Sequence, residues 1–224
     1  ALPIAMQSLI TSSLNMLDTM MIGKVGELEL AAVGIANQYY FLYSLLTNAL
    51  AIGSGVLIAQ LWGKKDTINI KRTLSKSLFY NVVLTIGFMI LGLLLPGKIM
   101  SVFSNDPAVI EIGIDYSKIV VISYLFTSIT FTFASGLRSI GNTKLPMWGS
   151  FIGLLVNGVL NAVLIFGLLG APKMGIRGAA LATLIARIVE FIIVVGVVYT
   201  KIDVLKLKFK DMLELPKSLS TTLN

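Results

Sequence analysis

Long apolar stretches, separated by short clusters of charged residues, dominate this sequence. Six stretches are long enough to cross the roughly 30 Å hydrocarbon core of a lipid bilayer as α-helices. We number them as predicted helices 1 to 6, which cover Leu2–Ile22, Ala31–Trp62, Leu74–Leu95, Ile114–Leu137, Leu145–Leu169 and Gly175–Tyr199. All six prolines lie at or near predicted helix ends, where the missing backbone N–H is tolerated best. The pattern therefore predicts an all-α, polytopic membrane protein with six transmembrane helices.

The composition agrees with a membrane protein and argues against most enzyme classes. Apolar residues make up 56% of the 224 residues and charged residues 13%, and the mean hydropathy is +0.88. A typical soluble domain carries roughly 25% charged residues. The sequence contains no cysteine and no histidine, which excludes disulfides, thiolate metal sites and the commonest general base. It also lacks a G-x-x-x-x-G-K-[ST] phosphate loop, so we predict neither an enzyme nor an ATP-driven pump, and no cofactor.

Lysine and arginine residues are distributed unevenly between the two sides of the predicted helices. The segments after predicted helices 2, 4 and 6 hold twelve of them, which are Lys64, Lys65, Lys71, Arg72, Lys76, Arg138, Lys144, Lys201, Lys206, Lys208, Lys210 and Lys217. The other connections hold five, which are Lys24, Lys98, Lys118, Lys173 and Arg177. Because cytoplasmic loops carry the excess of positive charge, we predict that both ends of the chain are cytoplasmic. The net charge of +7 then reflects topology, and nucleic acid is not predicted as a partner.

The two ends of the chain resemble each other and predict an internal repeat. Leu215-Pro216 echoes Leu2-Pro3, and both would lie at the cytoplasmic start of a helix. We therefore expect residues 1–200 to form a six-helix lobe that starts inside its first helix. Residues 201–224 would form a cytoplasmic linker and the start of a seventh helix, with a second lobe to follow. Within that linker, the lysine-rich stretch Val204–Leu213 either lies along the inner leaflet or is solvated.

Predicted helix 1 carries the most informative ionisable residue of the membrane spans. Asp18 continues a stripe of polar residues, Gln7, Thr11 and Asn15, at the spacing of one helix face. Such a stripe should face the protein interior or a water-filled cavity rather than lipid. A carboxylate in that position can carry a proton or bind Na⁺, and we consider it the candidate coupling group. The alternative is a packing hydrogen bond to a neighbouring helix.

Two asparagines on predicted helix 5 form the second polar feature within the spans. Asn157 and Asn161 are four residues apart, so both amides lie on one face, and Gly149 and Gly153 precede them at the same spacing. The glycines allow a neighbouring helix to approach closely, and the amides indicate a polar pocket or an interhelical hydrogen-bond network. Thr183 on predicted helix 6 can add a hydroxyl to that pocket, or it can bond its own helix backbone.

The remaining polar residues of the spans support weaker predictions. Glu190 follows Arg187 by three residues, so we interpret the two mainly as a structural ion pair on one helix face. Asn37 and Asn48 on predicted helix 2, and Tyr124 on predicted helix 4, are weak candidates for lining a cavity. Hydroxyl and amide side chains are also ordinary at membrane helix interfaces, so packing is the alternative for these residues.

Five sequence motifs stand in a characteristic order along the predicted helices. They are D-T-M-M-I-G at 18–23 with L-A-A at 30–32, Q-L-W-G-K-K-D at 60–66, L-R-S-I-G-N-T-K-L-P at 137–146, N-x-x-x-N at 157–161, and G-I-R-G-A-A at 175–180. In this order and topology they resemble the MATE (multidrug and toxic compound extrusion) family of transporters. The resemblance covers nearly the whole chain, and Pro3 would correspond to a proline bend in the family's first helix.

The resemblance implies a twelve-helix antiporter of two six-helix lobes, with this chain as the N-terminal lobe. Such proteins lie in the cell membrane and use alternating access to export organic cations and xenobiotics in exchange for H⁺ or Na⁺. The implied cation site comprises Asp18, Asn157, Asn161 and Thr183, and in a Na⁺-coupled member the first three would hold the ion. Some members carry a second aspartate where this sequence has Asn161, so the coupling ion stays open. The implied partners are the lipid bilayer, small organic cations and the C-terminal lobe.

Three other interpretations compete with the drug antiporter. A flippase for lipid-linked oligosaccharides shares the fold of this superfamily, but we would expect its cavity to be more cationic than Arg187 alone provides. A non-transporting scaffold or channel subunit would use Asp18 and the asparagines only for helix packing. Asp18→Asn would then lower stability without affecting flux. A membrane enzyme is disfavoured because no second carboxylate lies beside Asp18 in the sequence.

Overall fold

The computed structural model describes residues 2–207, except the side chains of residues 2–4, 7, 11, 14, 15 and 18. Across this range the chain forms α-helices and short 3₁₀ turns and contains no strand. The helices are α1 (Leu2–Gly23), α2 (Glu27–Gly63), α3 (Thr67–Leu94), α4 (Pro96–Phe103), α5 (Pro107–Ser139), α6 (Lys144–Phe166) and α7 (Ile176–Lys201). The predicted all-α fold class is therefore confirmed.

Each predicted helix lies within or overlaps one observed helix, but the boundaries differ at polar ends. Helix α3 begins seven residues before the predicted start, because the side chain of Asp66 accepts a hydrogen bond from the backbone N–H of Asn69 at 3.1 Å. Helix α5 likewise begins at Pro107, where Asp106 accepts from the backbone N–H of Ala108 at 2.9 Å. Hydropathy marks only the apolar part of a helix, so the capped polar turns were missed.

The structure differs from the predicted helices at two places between the long helices. The segment after α3, for which no helix was predicted, contains the short helix α4, whose Met100 is buried. Pro96 begins this helix, at the one position where its missing N–H costs nothing. Helix α6 ends at Phe166 rather than Leu169, because Gly167 adopts a left-handed conformation with φ of 74°. Leu168–Gly170 then forms a 3₁₀ turn.

Five helices among the described residues, α2, α3, α5, α6 and α7, are long and apolar enough to cross a membrane. Helix α1 has the predicted extent but is not among the five, because Gln7, Asn15 and Asp18 lower its hydropathy. Large apolar side chains cover the outer faces of α2 and α3, including Leu42, Leu45, Ile52, Val56, Val83 and Ile90. Such a continuous apolar surface suits contact with lipid rather than with water.

Helix α5 occupies the centre of the bundle and packs against α2, α3 and α7. In its most apolar stretch 67% of the residues are buried, against 28% in each of the other four spanning helices. The hydroxyls of Ser135 and Ser139 donate to the backbone carbonyl oxygens of Ala51 and Gly55 on α2, at 2.6 and 2.7 Å. Hydroxyl-to-backbone bonds of this kind require close helix approach, which Gly55 permits because it has no side chain.

The segment after α7 folds back against the bundle. Leu205 is fully buried, with its methyl groups near Gly136 of α5, and the hydroxyl of Tyr199 donates to the carbonyl oxygen of Leu207 at 3.2 Å. The first residues of the predicted linker stretch Val204–Leu213 are therefore packed rather than solvated. The rest of that stretch, and the predicted start of a seventh helix, lie outside the described residues.

Candidate functional site

Helices α6 and α7 approach each other closely along a glycine face. A Cβ atom added at Gly149 would lie 2.6 Å from a methyl group of Val194, and one at Gly153 would lie 3.5 Å from the Cβ atom of Glu190. Gly149 therefore admits no side chain unless Val194 or α7 shifts. The spacing of these glycines predicted this approach, and it brings the polar side chains of both helices within hydrogen-bond distance.

The structure brings together three of the predicted site residues between α6 and α7. Asn157 and Asn161 are fully buried, and the amide nitrogen of Asn161 donates to Oδ1 of Asn157 at 3.1 Å. The amide nitrogen of Asn157 in turn donates to the hydroxyl of Thr183 at 3.4 Å, a long and correspondingly weak bond. These side chains form a polar chain that crosses from one helix to the next.

Helix α1 packs against α6 next to Asn157. The side chain of Leu17 comes within 4.0 Å of the position that a Cβ atom of Gly158 would occupy, next to Asn157. The backbone of Asp18 follows directly in α1. The side chains of Asp18, Gln7, Thr11 and Asn15 lie outside the described set, so their predicted roles stay predictions.

A cleft opens between α1, α6 and α7. Its lining combines apolar side chains from all three helices with polar groups from α6 and α7, and consists of Ile10, Ser150, Gly153, Leu154, Asn157, Thr183, Ala186, Arg187 and Glu190. The cleft is narrow, with a volume of about 10 Å³, so in this structure it has room for about one water molecule.

The predicted ion pair between Arg187 and Glu190 is confirmed and belongs to this cleft. Nη1 of Arg187 donates to Oε2 of Glu190 at 2.8 Å, and the hydroxyl of Ser150 donates to Oε1 at 2.7 Å. Sequence reasoning missed both the place of the pair in the cleft and the role of Ser150. The signal was present in the spacing, since Ser150 precedes Asn157 by seven residues and Glu190 follows Thr183 by seven.

The three weaker cavity candidates lie elsewhere in the bundle. Tyr124 is 2% exposed and stacks on Tyr43 with ring centroids 4.4 Å apart, while its carbonyl oxygen accepts from the Tyr43 hydroxyl at 2.8 Å. Its side chain is thus part of the packed core between α2 and α5. Asn37 is exposed and Asn48 half-buried on α2, and neither borders the cleft described above.

The family of this chain follows from its match to a family model. A family model described as MatE matches residues 3–163. The chain belongs to the MatE family. Members of this family are multi-pass membrane transporters, so the apolar surface of the bundle has a direct explanation.

Named relatives of this MatE chain include two bacterial proteins. The probable multidrug resistance protein YoeA of Bacillus subtilis is 27% identical over 192 residues, which cover 85% of this chain and 42% of the relative. The probable multidrug resistance protein NorM of Thermotoga maritima is 30% identical over 206 residues, which cover 90% and 43%. The chain thus spans somewhat less than half the length of these relatives.

The fold of the MatE chain also matches solved structures. A MOP superfamily transporter from Pyrococcus furiosus superimposes with a TM-score of 0.84 at 22% identity, over 99% of this chain and 51% of that one. At this identity the match establishes the fold. It corresponds to about half of the solved transporter, as one lobe of a two-lobe protein would.

The polar groups in and next to the MatE cleft are of the type that a hard cation prefers. Sodium, like other hard cations, binds oxygen ligands. The amide oxygens of Asn157 and Asn161 and the hydroxyl of Thr183 are such donors, and they are buried or half-buried. Among the described residues no group of three or more acidic side chains gathers, and the described lining of the cleft includes one carboxylate, that of Glu190.

Proposed function

We propose that this chain is the N-terminal lobe of a secondary antiporter that exports organic cations in exchange for H⁺ or Na⁺. The observation that carries the proposal is the hydrogen-bonded chain of the buried Asn161 and Asn157 and the half-buried Thr183, beside the cleft. Polar side chains within membrane spans are costly, and they are retained chiefly where they serve a transport pathway. The relatives named as probable multidrug resistance proteins support drug-like organic cations as substrates.

Asp18 is the proposed coupling carboxylate of this antiporter. Its backbone lies in α1, one residue beyond the Leu17 contact with α6. Binding of H⁺ or Na⁺ there would neutralise the carboxylate and change how α1 packs on α6, and so weaken the hold on an organic cation. Cation release to the outside would follow, in an alternating-access cycle with the second lobe.

The energy required for this coupling is modest. A hundredfold difference in ion affinity between two states of the transporter corresponds to about 2.7 kcal/mol. Couplings of about 1–3 kcal/mol are usual between linked sites. By reciprocity, a bound organic cation would lower the affinity for the coupling ion by the same factor.

The proposed setting is the cell membrane, with both ends of the described lobe cytoplasmic. The excess of lysine and arginine after α2, α5 and α7 supports this orientation. The proposed partners are the surrounding lipid, small organic cations and the C-terminal lobe of the same protein. The coupling ion is either H⁺ or Na⁺, since a single carboxylate among neutral oxygens suits both.

Transport by the complete protein in lipid vesicles tests this proposal. We expect Asp18→Asn to abolish ion-driven efflux of an organic cation such as tetraphenylphosphonium. The matched control is Asp115→Asn, which removes an acidic residue that pairs with Arg177 away from the cleft. Unchanged ion-driven efflux in Asp18→Asn would refute the proposal. A loss of stability with normal flux would favour a packing role for Asp18.

A further inference from the structure

Two polar layers, at equal spacing on both helices, join α6 to α7 along the cleft. The first layer pairs Asn157 with Thr183, and the second pairs Ser150 with Glu190. On each helix the two layers are seven residues apart, which is about 10.5 Å along the axis. Both layers border the cleft, so a ligand there would meet a second set of polar groups beyond the proposed coupling site.

The second layer contains a carboxylate that is unusually buried for a membrane span. The side chain of Glu190 is 7% exposed and that of Arg187 is 15% exposed. Exchange of a buried ion pair for apolar residues of similar size is often neutral or stabilising, so stability alone does not explain this pair. An ionisable residue within a span is more often retained for transport than for packing.

The carboxylate of Glu190 has capacity for further donors. Within the described part of the chain, Oε1 accepts from Ser150 and Oε2 accepts from Arg187. A carboxylate offers about four lone-pair sites, and these two bonds occupy two of them. The guanidinium that fills one of them belongs to a side chain that itself lines the cleft.

The resident partner of this carboxylate is chemically an organic cation. A guanidinium presents planar N–H donors in the same way as an amidinium, and a protonated amine presents them as a point charge. Next to the carboxylate, Ile10, Leu154 and Ala186 offer apolar surface to the body of such a molecule. The cleft thus places an anionic acceptor beside an apolar wall, and its small volume admits the N–H group of an organic cation while the body of the cation lies outside, along the apolar surface.

We propose that Glu190 binds the cationic group of the exported molecule, and that Arg187 occupies this carboxylate when no ligand is present. Ser150 holds the carboxylate in place through Oε1. An incoming amidinium, guanidinium or ammonium replaces Arg187 at Oε2. This inference rests on the proposed function, because it names the carboxylate that recognises the transported cation.

Ligand affinity in the complete protein tests the inference with the fluorescent amidinium 4′,6-diamidino-2-phenylindole. We expect Glu190→Gln to weaken binding at least about tenfold, since it removes the anionic acceptor. We expect Arg187→Gln to strengthen binding, since it removes the competitor. Arg177→Gln and Asp115→Asn are matched controls, because they make the same charge changes in an exposed pair outside the cleft. We expect both controls to bind as the wild type does.

The double variant Arg187→Gln with Glu190→Gln separates direct binding from other effects. Its net charge equals that of the wild type and it leaves no buried charge unpaired, so it keeps the test decisive even if a single variant fails to fold. Direct binding by Glu190 requires the double variant to be at least about tenfold weaker than the wild type. A structural pair, or a long-range charge effect, would instead restore wild-type affinity and overturn the inference.

The same assay distinguishes failure of this inference from failure of the proposed function. A wild-type protein that binds and transports the amidinium, together with a double variant of equal affinity, overturns only the role of Glu190. A wild-type protein that neither binds nor transports any organic cation overturns both.

Discussion

Replacement of Gly55 with alanine probes the contact between α2 and α5 at the centre of the bundle. A Cβ atom at this position would lie 2.5 Å from Oγ of Ser135, closer than the two atoms can pack. The hydroxyl must then rotate away from the carbonyl oxygen of Ala51, to which it donates at 2.6 Å. A buried hydroxyl without its acceptor costs about 1–3 kcal/mol. Alanine recovers about 1 kcal/mol through its higher helix propensity.

The balance predicts that Gly55→Ala lowers the free energy of unfolding by up to about 2 kcal/mol. For a chain of this size, the unfolding temperature should fall by up to about 8 °C, measured by thermal unfolding in detergent. Gly53→Ala is the control, because no described atom outside its own helix backbone and chain neighbours lies within 4 Å of the added methyl group, and it should be at least as stable as the wild type. Adding Ser135→Ala to Gly55→Ala should restore most of the loss. Equal unfolding temperatures for Gly55→Ala and Gly53→Ala would refute the reasoning.

Three further predictions concern a helix cap, a helix crossing and the site. Hydrogen bonds from Asn69 lower the pKa of Asp66, so the ionised carboxylate stabilises the fold fully above about pH 4 and loses this effect as the pH falls. Asp66→Asn should therefore flatten the acid side of a plot of unfolding temperature against pH. Gly178→Ala should prevent correct folding, measured as monodisperse yield, because its methyl group would lie 2.6 Å from the backbone carbonyl oxygen of Leu164. Asn161→Ala should lower ion-driven transport about tenfold, since the loss of one buried amide contact is worth roughly 1.4 kcal/mol.

Controls for these variants come from the same chain. Gly196→Ala introduces its methyl group into open space and should give wild-type yield. Asn105→Ala removes an exposed asparagine in the loop before α5 and should leave transport unchanged. Wild-type transport in Asn161→Ala would separate this residue from the coupling site. A yield for Gly178→Ala equal to that of Gly196→Ala would contradict the described crossing of α6 and α7.

Much of the architecture could be predicted from the sequence, because a helix that crosses a bilayer must be long and predominantly apolar. Apolar runs located every long helix, and the four-residue spacing of Asn157 and Asn161 placed both amides on one face, where the structure has them. The glycines one and two turns earlier predicted the close approach of a neighbouring helix, which in the structure is α7. Periodicity therefore sufficed wherever the relevant contact lay along a single helix face.

Contacts between helices that are distant in sequence were harder to predict. The seven-residue spacing from Asn157 places Ser150 on the same face of α6, but only the three-dimensional crossing shows that it holds the carboxylate of Glu190. The burial of Leu205 depends on the shape of the surface at Gly136, which no local pattern reveals. Helix α4 was missed because eight residues are too few for a clear periodic signal.

The most direct test of the antiporter account is the movement of the coupling ion when substrate is added. Vesicles that contain the complete protein are loaded with a pH-sensitive or a Na⁺-sensitive dye, and an organic cation is added on one side. The account predicts counter-movement of H⁺ or of Na⁺ in the wild type, and none in Asp18→Asn, because exchange is reciprocal at linked sites. Substrate flux with no counter-movement of either ion in the wild type would contradict the account.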